Sequence, residues 1–208
     1  FYDDMESGLN GWTVESYSGP YLWHQTEYTA NSPVTSWWCA DEETEDYNFG
    51  LVRNALISPS IDLGGIDTTI ILEFFENWST EYSHYFDRKE VYVSIDNGAS
   101  WEIIRTNPSE NLSDGWILTT LDISTYSGNE ILIKFLFDTG DGSINSYTGW
   151  FVDDVIVYAE KSWLISDVSS GSISPGSSED IQVTFDATDL AGGDYEADII
   201  ISSNDPDE

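Results

Sequence analysis

Residues 130–137 (EILIKFLF) and 150–158 (WFVDDVIVY) are the most strand-like stretches of this sequence. Both are short runs of β-branched and aromatic side chains, and turn-forming Gly, Asn, Asp and Ser residues lie beside them. Similar runs occur at 69–74 and 91–95, whereas no segment shows an amphipathic helical period. Many short strands separated by frequent turns predict an all-β sandwich or barrel.

The composition of the chain changes near its last quarter. Up to Tyr158 the sequence is rich in Trp and Phe, and beyond Trp163 it is rich in Ser, Gly, Asp and Ile. We therefore predict two modules, residues 1–159 and residues 160–208. The second is predicted to contain three strands, at 163–166, 180–186 and 195–202. Three strands are a thin basis for independent stability.

The chain is strongly acidic: its 208 residues include 39 Asp and Glu against 6 Lys and Arg, a formal net charge of −33. Proteins bind a nucleic-acid backbone through a basic face, so this charge excludes nucleic acid as a partner. It also argues against an anionic membrane surface. No apolar run approaches the roughly 18 residues of a spanning helix, so we expect no membrane insertion. We expect salt or a divalent cation to stabilise the fold against self-repulsion.

Catalytic signatures are missing from the sequence. It contains no HExxH zinc motif and no G-x-S-x-G nucleophile elbow. Nothing local to His24 or His84, the two histidines, supports a Ser–His–Asp triad. The E-x-D-x-x-E strand signature of jelly-roll glucanases is also absent. We therefore predict that the chain is not an enzyme.

Residues 94–101 (SIDNGASW) fit the pattern S-x-D-x-G-x-x-W, which resembles the Asp-box hairpin of sialidases and other β-proteins. Asn97 and Gly98 favour the positive φ angles of a tight hairpin turn. The carboxylate of Asp96 can accept hydrogen bonds from the turn amides, and Trp101 can cover the hairpin. The motif predicts local structure and says almost nothing about chemistry.

A loop at residues 138–145 (DTGDGSIN) is a candidate calcium site. Asp138 and Asp141 offer hard oxygen ligands, and the glycines between them allow a tight cation shell. The loop is not an EF-hand, because Gly149 stands where the bidentate Glu is required. The alternative is a solvated acidic loop.

A second candidate calcium site combines the two ends of the first module. Asp4 and Glu6 lie near its start, and Asp153 and Asp154 lie in its last predicted strand. In a jelly roll the first and last strands are neighbours, so these carboxylates would converge and repel one another. A bound calcium ion relieves that repulsion and ties the termini together. The alternative is that one Asp of each pair faces solvent.

The nine tryptophans are candidate platforms for sugar rings. The candidates are Trp23, Trp37, Trp38 and Trp78. The alternative is that these rings form the core, because burying an aromatic side chain is strongly favourable. The single cysteine, Cys39, lies in the same apolar patch and is predicted to be a buried thiol.

The ordered series of motifs in residues 1–158 resembles the MAM-like jelly-roll module attached to secreted bacterial and archaeal peptidases, including immune inhibitor A-type proteins. In order, the motifs are DMESG (4–8), LWH (22–24), SWW (36–38), NALISPSIDL (54–63), the Asp-box hairpin, FDTGD (137–141) and GWFVDDV (149–155). The resemblance implies a concanavalin A-like β-sandwich that is not itself catalytic. It also implies a structural cation held by Glu6, Asp153 and Asp154, with Asp4 nearby.

Residues 163–206 resemble a bacterial Ig-like repeat that often stands beside such modules. In that family one more hydrophobic strand follows the Asn-Asp-Pro turn, which is here at 204–206. The sequence stops at Glu208, so we predict a smaller, incomplete Ig-like β-sandwich that lacks its closing strand.

These observations predict a non-catalytic, extracellular binding or spacer module, stabilised by calcium and accessory to a secreted peptidase or a cell-surface protein. Its partner would be a protein or a glycan at the cell surface, in a role such as adhesion. One alternative is a subunit of an extracellular filament that self-associates through the open sheet edge by strand complementation. The other is a carbohydrate-binding module that uses the tryptophan platforms.

Overall fold

The structure, a computed structural model, describes residues 1–159 except 21, 67, 83 and 84, and beyond them residues 164–166, 171–174 and 176–187. The chain divides into two units, Phe1–Glu160 and Lys161–Glu208. All strand pairs in the described residues are antiparallel. The all-β fold class predicted from the sequence is confirmed.

The first sheet contains six strands of the first unit. They are β1 (Tyr2–Asp3), β3 (Trp23–Thr26), β4 (Ser36–Cys39), β7 (Ile70–Ser79), β10 (Ile117–Asp122) and β12 (Gly149–Ala159). Their order is β10–β7–β12–β4–β3, and β1 also pairs with β12. The first and last strands of the unit are therefore neighbours, as expected for a jelly roll.

The second sheet also contains six strands. They are β2 (Thr13–Ser18), β5 (Arg53–Ile57), β6 (Ile61–Asp62), β8 (Arg88–Ser94), β9 (Glu102–Arg105) and β11 (Glu130–Asp138). Their order is β2–β5–β11–β8–β9, and β6 also pairs with β11. A three-residue 3₁₀ helix, Ser124–Tyr126, connects β10 to β11.

The core of the first unit lies between the two sheets. Alternate residues of β11, namely Ile131, Ile133, Phe135 and Phe137, belong to the large buried cluster. The Phe135 ring packs edge-on against Phe74 of the first sheet, with centroids 5.0 Å apart. One face of β11 thus fills the core, and its other face is also partly covered. This explains why the apolar run at 131–137 is almost unbroken, as in a buried strand.

The tryptophans proposed as sugar platforms are buried. Trp23, Trp37, Trp38 and Trp78 each expose at most 3% of their surface. The sugar-platform role predicted for these four rings is therefore corrected, because a ring without an exposed face cannot stack on a ligand. Cys39 is a buried free cysteine, as predicted, and burial raises the pKa of its thiol.

In the second unit the described residues contain two paired strands, β13 (Leu164–Ser166) and β14 (Val183–Phe185). They lie within the first two of the three strands predicted there. The third predicted strand, at 195–202, lies outside the described residues. The Ig-like assignment and the open edge therefore stay predictions.

Candidate functional site

The pairing of β1 with β12 brings together most of the acidic residues that the sequence assigned to a terminal calcium site. Tyr2 lies opposite Ile156, and Asp3 lies opposite Val155. The register of β12 shifts between Asp153 and Ile156, at an irregularity where Asp154 has a φ of 46°. Burial and then the nearby carboxylates of Asp154, Asp4, Asp153 and Asp3 raise the pKa of Tyr2.

We call Asp4, Glu6, Asp153 and Asp154 the acidic corner. A single loop, residues 31–35, donates hydrogen bonds to three of these four acids. The backbone N–H groups of Asn31 and Ser32 donate to Asp153 Oδ2 over 2.7 and 3.2 Å. The side chains of the same two residues donate to Asp154 over 2.8 and 2.7 Å. The Thr35 N–H donates to Glu6 Oε1 over 2.7 Å. The loop therefore links the turn that follows β1 to β12 through their acids.

Asp153 is the most constrained carboxylate of the acidic corner. It is fully buried, and burial together with Asp154 raises its pKa to about 7. Asp4 accepts the backbone N–H of Glu6 over 3.2 Å. Among the described residues, no group of three or more His, Cys, Asp or Glu side chains is arranged to hold a metal ion. A cation at this corner would therefore need backbone, amide or hydroxyl oxygens as well.

In the other candidate calcium loop, residues 138–145, the first acid is paired with two arginines. Asp138, at the end of β11, forms ion pairs with Arg88 over 2.5 Å and with Arg53 over 3.3 Å. Asp141 caps a turn by accepting the N–H of Ser143 over 2.8 Å. Asp138 is thus neutralised by two guanidinium groups, and calcium binding by Asp138 and Asp141 stays a prediction.

A groove of about 500 Å³ crosses the outer face of the second sheet. We call it the outer groove. Its walls are Thr13, Glu15 and Tyr17 of β2, Arg53 and Ile57 of β5, Leu132 and Lys134 of β11, and Asn97, Gly98 and Trp101 of the Asp-box hairpin. Ala55, Ile57 and Leu136 form a small buried apolar cluster at its floor, with Tyr92 packed against them.

The ammonium of Lys134 lines the outer groove and lies near three aromatic rings. Its Nζ atom is 4.1 Å from the centroid of Trp101, 4.7 Å from that of Tyr92 and 5.9 Å from that of Tyr17. Lys134 is only 6% exposed, and burial lowers its pKa to about 8. The Lys134 ammonium forms no hydrogen bond or ion pair with another described residue. The cage thus holds a charge by cation–π contacts, which are weaker than an ion pair with hydrogen bonds.

The Asp-box hairpin fixes the tryptophan side of this cage. Asn97 and Gly98 have φ angles of 55° and 85°, as the hairpin turn was predicted to require. Asp96 accepts the Ser100 N–H over 2.8 Å, and the hydrogen bonds from Ser100 lower the pKa of Asp96 to about 2. Trp101 follows this rigid turn, so the motif positions the ring that lies nearest to Lys134.

The tyrosines of the outer groove are held by carboxylates on their own strands. Tyr17 is 48% exposed, and its hydroxyl donates to Glu15 over 2.7 Å. The hydroxyl of Tyr92 donates to Glu90 over 2.7 Å. These residues were not singled out from the sequence. The available signal was a lysine in the middle of the apolar run 131–137, together with an acid two residues before a tyrosine on β2 and on β8.

No known family model matches the chain, and no curated protein is similar to it. Among solved structures, the K3 cleaved adhesin domain of Lys-gingipain from Porphyromonas gingivalis W83 has a TM-score of 0.52 and 14% identity, over 77% of this chain and 98% of that one. A CBM61 module in complex with β-1,4-galactotriose matches at a TM-score of 0.48, with 14% identity over 76% of this chain and 94% of that one. A xylan-binding domain from CBM22 matches at 0.47, with 14% identity over 76% of this chain and 93% of that one.

The likeness to the adhesin domain supports the β-sandwich fold and extends no further at this level of identity. The predicted link to MAM-like modules of secreted peptidases stays a prediction. Within the described residues, no helix has the length and apolar character that a membrane span needs.

Proposed function

We propose that this chain is a non-catalytic, extracellular binding module and that its ligand, a carbohydrate chain, occupies the outer groove. The observation that carries the proposal is the cage of Tyr17, Tyr92 and Trp101 around a lysine without a hydrogen-bonding partner. Binding sites combine an apolar, aromatic surface with a few polar groups that fix the ligand's orientation. The half-exposed ring of Tyr17 offers a stacking face, and Lys134 offers hydrogen-bond donors.

The fold is consistent with this role. An adhesin domain has a similar fold, and the sequence carries no catalytic motif. An attachment to a secreted peptidase or a cell-surface protein agrees with the motif series, and we keep it as part of the proposal. The filament alternative depends on an edge beyond the described residues, and no observation within them favours it.

The test is binding to a panel of soluble polysaccharides, followed by tryptophan fluorescence and isothermal titration calorimetry. We expect binding of at least one polysaccharide, and we expect Tyr17→Ala to weaken it about tenfold or more, as loss of a central aromatic contact does. Tyr28→Ala is the matched control, because Tyr28 is 45% exposed and also donates its hydroxyl to a glutamate. Equal loss in the two variants, or no binding to any polysaccharide, would contradict the proposal.

We also propose that calcium stabilises the acidic corner. Glu6, Asp153 and Asp154 supply hard carboxylate oxygens around the loop at 31–35, and the side chains of Asn31 and Ser32, which donate to Asp154, carry further oxygens that calcium could use. None of the ion pairs in the described residues neutralises these three acids. The donor set is therefore compatible with calcium, which prefers six to eight oxygen ligands.

Thermal unfolding in calcium, in chelator and in sodium chloride of matched ionic strength tests this proposal. Calcium at a hundred times its Kd would stabilise the folded state by about 2.7 kcal/mol. We expect Asp153→Asn to abolish the calcium-specific increase in Tm and Asp141→Asn, in the other candidate loop, to retain it. An equal increase in sodium chloride would reduce the effect to screening of a charge of −33.

A further inference from the structure

The few basic side chains of this protein are not scattered over its surface. The sequence has six Lys and Arg, and five lie in the described residues because Lys161 falls outside them. Arg105 and Lys89 point into the interior, where Arg105 pairs with Glu76 and Lys89 is 1% exposed. The other three, Arg53, Arg88 and Lys134, all lie on the outer face of the second sheet.

This placement makes the outer face electrostatically unlike the rest of the molecule. In the rows of residues that cross β5, the three basic side chains are balanced by three acids, Glu15, Glu90 and Asp138. The chain as a whole carries a formal charge of −33. These rows are therefore neutral in sum within a strongly anionic molecule, and a ligand carboxylate meets less repulsion beside them than elsewhere.

On this face two of the three basic side chains are paired with one acid, and the third, Lys134, is not. Asp138 binds Arg88 and faces Nε of Arg53, so it draws its two arginines toward one end of the sheet. Lys134 is farther along β11, opposite Ile57 and Tyr92. Its nearest acidic influence is Glu15, whose carboxylate is already hydrogen-bonded by Tyr17. The ammonium of Lys134 thus has no ion-pair partner among the described residues.

Two cations lie over the half-exposed ring of Tyr17. The guanidinium carbon of Arg53 is 5.4 Å from its centroid, and Lys134 Nζ is 5.9 Å from it. A sugar ring that stacks on Tyr17 would therefore place its equatorial substituents next to a guanidinium or an ammonium group. Carboxylates are the substituents that such groups bind most strongly.

We propose that the outer groove selects acidic sugar chains, with a uronic acid carboxylate bound by Lys134 and its pyranose ring stacked on Tyr17. The inference rests on the proposed function, since it names the class of carbohydrate that the same groove takes. An ammonium that lacks a carboxylate partner within the protein gains more from a ligand carboxylate than from a neutral hydroxyl. Burial lowers the pKa of Lys134 in the free protein, and a bound carboxylate would raise it again by favouring the charged form.

The test compares one ligand in two chemical forms: an α-1,4-linked oligogalacturonate and the same chain after its carboxyl groups have been reduced to alcohols. Calorimetry is performed in 0.15 M and 0.5 M sodium chloride with a chelator present, so that calcium cannot bridge the acidic partners. We expect the oligogalacturonate to bind about tenfold tighter than the reduced chain, the ratio that one charge-assisted hydrogen bond supplies. The advantage should shrink at the higher salt concentration.

Variants separate this inference from the proposed function. We expect Lys134→Met to remove the preference for the acidic chain, Lys134→Arg to retain part of it, and Tyr28→Ala to leave it unchanged. Equal affinity for the acidic and reduced chains would overturn the inference while the carbohydrate-binding proposal stands. Absence of binding to either chain and to the wider panel would overturn both. If a poly-glutamate peptide binds as tightly as the oligogalacturonate, the groove binds carboxylates whatever carries them, and the inference that it selects acidic sugars is overturned.

Discussion

Arg105 and Lys134 are both basic side chains in mostly buried positions of the second sheet, yet their surroundings differ completely. Arg105 lies on the inner side, where its guanidinium donates to Glu76 and to the backbone carbonyl of Lys89. Its Cζ atom also lies 5.9 Å from the centroid of Phe74. Lys134 lies on the outer side and has aromatic rings as its neighbours.

The difference separates a structural charge from a charge that is available to a ligand. A buried charge in a folded core is paired and hydrogen-bonded, because an unpaired one costs several kcal/mol. Glu76 meets this requirement: besides Arg105 it accepts hydrogen bonds from Thr119 and from Nε1 of Trp150. Lys134 does not meet it within the described residues, and it borders a groove that is open to solvent. In our proposal a ligand carboxylate supplies the missing partner.

The largest effect is expected when one member of the interior pair of Glu76 and Arg105 is removed. Glu76→Ala should destabilise the protein by about 3–5 kcal/mol, because the guanidinium of Arg105 would remain buried without its counterion. The measurement is equilibrium unfolding in urea at constant salt concentration. Glu73→Ala is the matched control, since Glu73 is on the same strand but accepts a hydrogen bond from Thr120 at an exposed site.

The control should cost less than about 1 kcal/mol, as solvent-exposed polar contacts do. A double replacement, Glu76→Met with Arg105→Met, should recover a large part of the loss because it removes both desolvated charges together. A single Glu76→Ala change as mild as Glu73→Ala would show that the interior pair is not structural.

Asp87 provides an intermediate case, since it is an interior acid with only one satisfied oxygen. Its Oδ2 atom accepts hydrogen bonds from the Tyr47 hydroxyl and the Glu81 N–H, whereas its buried Oδ1 atom has no partner. Burial raises the pKa of Asp87 from 3.8 to about 6, despite the opposing effect of Lys89. Its contribution to stability is therefore full below pH 3.8 and is lost as the pH rises through about 6.

Asp87→Asn should remove this pH dependence, because the amide keeps an acceptor for Tyr47 and Glu81 without a charge. Between pH 4 and pH 6 the wild type should lose about 2 kcal/mol relative to the variant. The check is a series of urea unfolding curves across that range for both proteins, with the exposed Asp114→Asn as control. Parallel pH profiles for all three proteins would contradict the assignment of this titration to Asp87.

Much of the fold could be predicted because its signals are local. The run at 131–137 predicted β11, the run at 150–158 predicted β12, and the SIDNGASW motif predicted a hairpin whose Asn97 and Gly98 have positive φ. These signals depend on side-chain volume, β-branching and turn chemistry, which each segment carries by itself.

The candidate binding site was harder to predict, because it depends on register and on which face each residue occupies. The side chains of a strand alternate between two faces, so a tryptophan in an apolar strand is core in one register and exposed in the next. Trp37 and Trp38 on β4 are both buried for a further reason: Tyr28 and Phe151 cover the ring of Trp38 on the outer side of its sheet. Tyr17, Tyr92 and Trp101 meet around Lys134 only because three separate parts of the chain converge there, which no single segment reveals.

The smallest expected effect is on the other side of the comparison, at Lys134 itself. Lys134→Met keeps a side chain of similar length among the three rings and removes the ammonium. We expect the free energy of unfolding at pH 7 to stay the same or to rise slightly, because burial costs the ammonium more than its cation–π contacts contribute. The measurement is again urea unfolding, now extended to alkaline pH.

The pH profile identifies the group responsible for that small change. Burial lowers the pKa of Lys134 from 10.5 to about 8, so the wild type gains stability from this group as the pH rises from about 8 to 10.5. Lys89 titrates over the same range in both proteins, so the difference between the two curves isolates Lys134. The variant should therefore lack part of the alkaline gain. A loss of 3 kcal/mol or more at pH 7, comparable to that of Glu76→Ala, would place Lys134 with Arg105 as a structural charge and remove the basis for assigning it to a ligand.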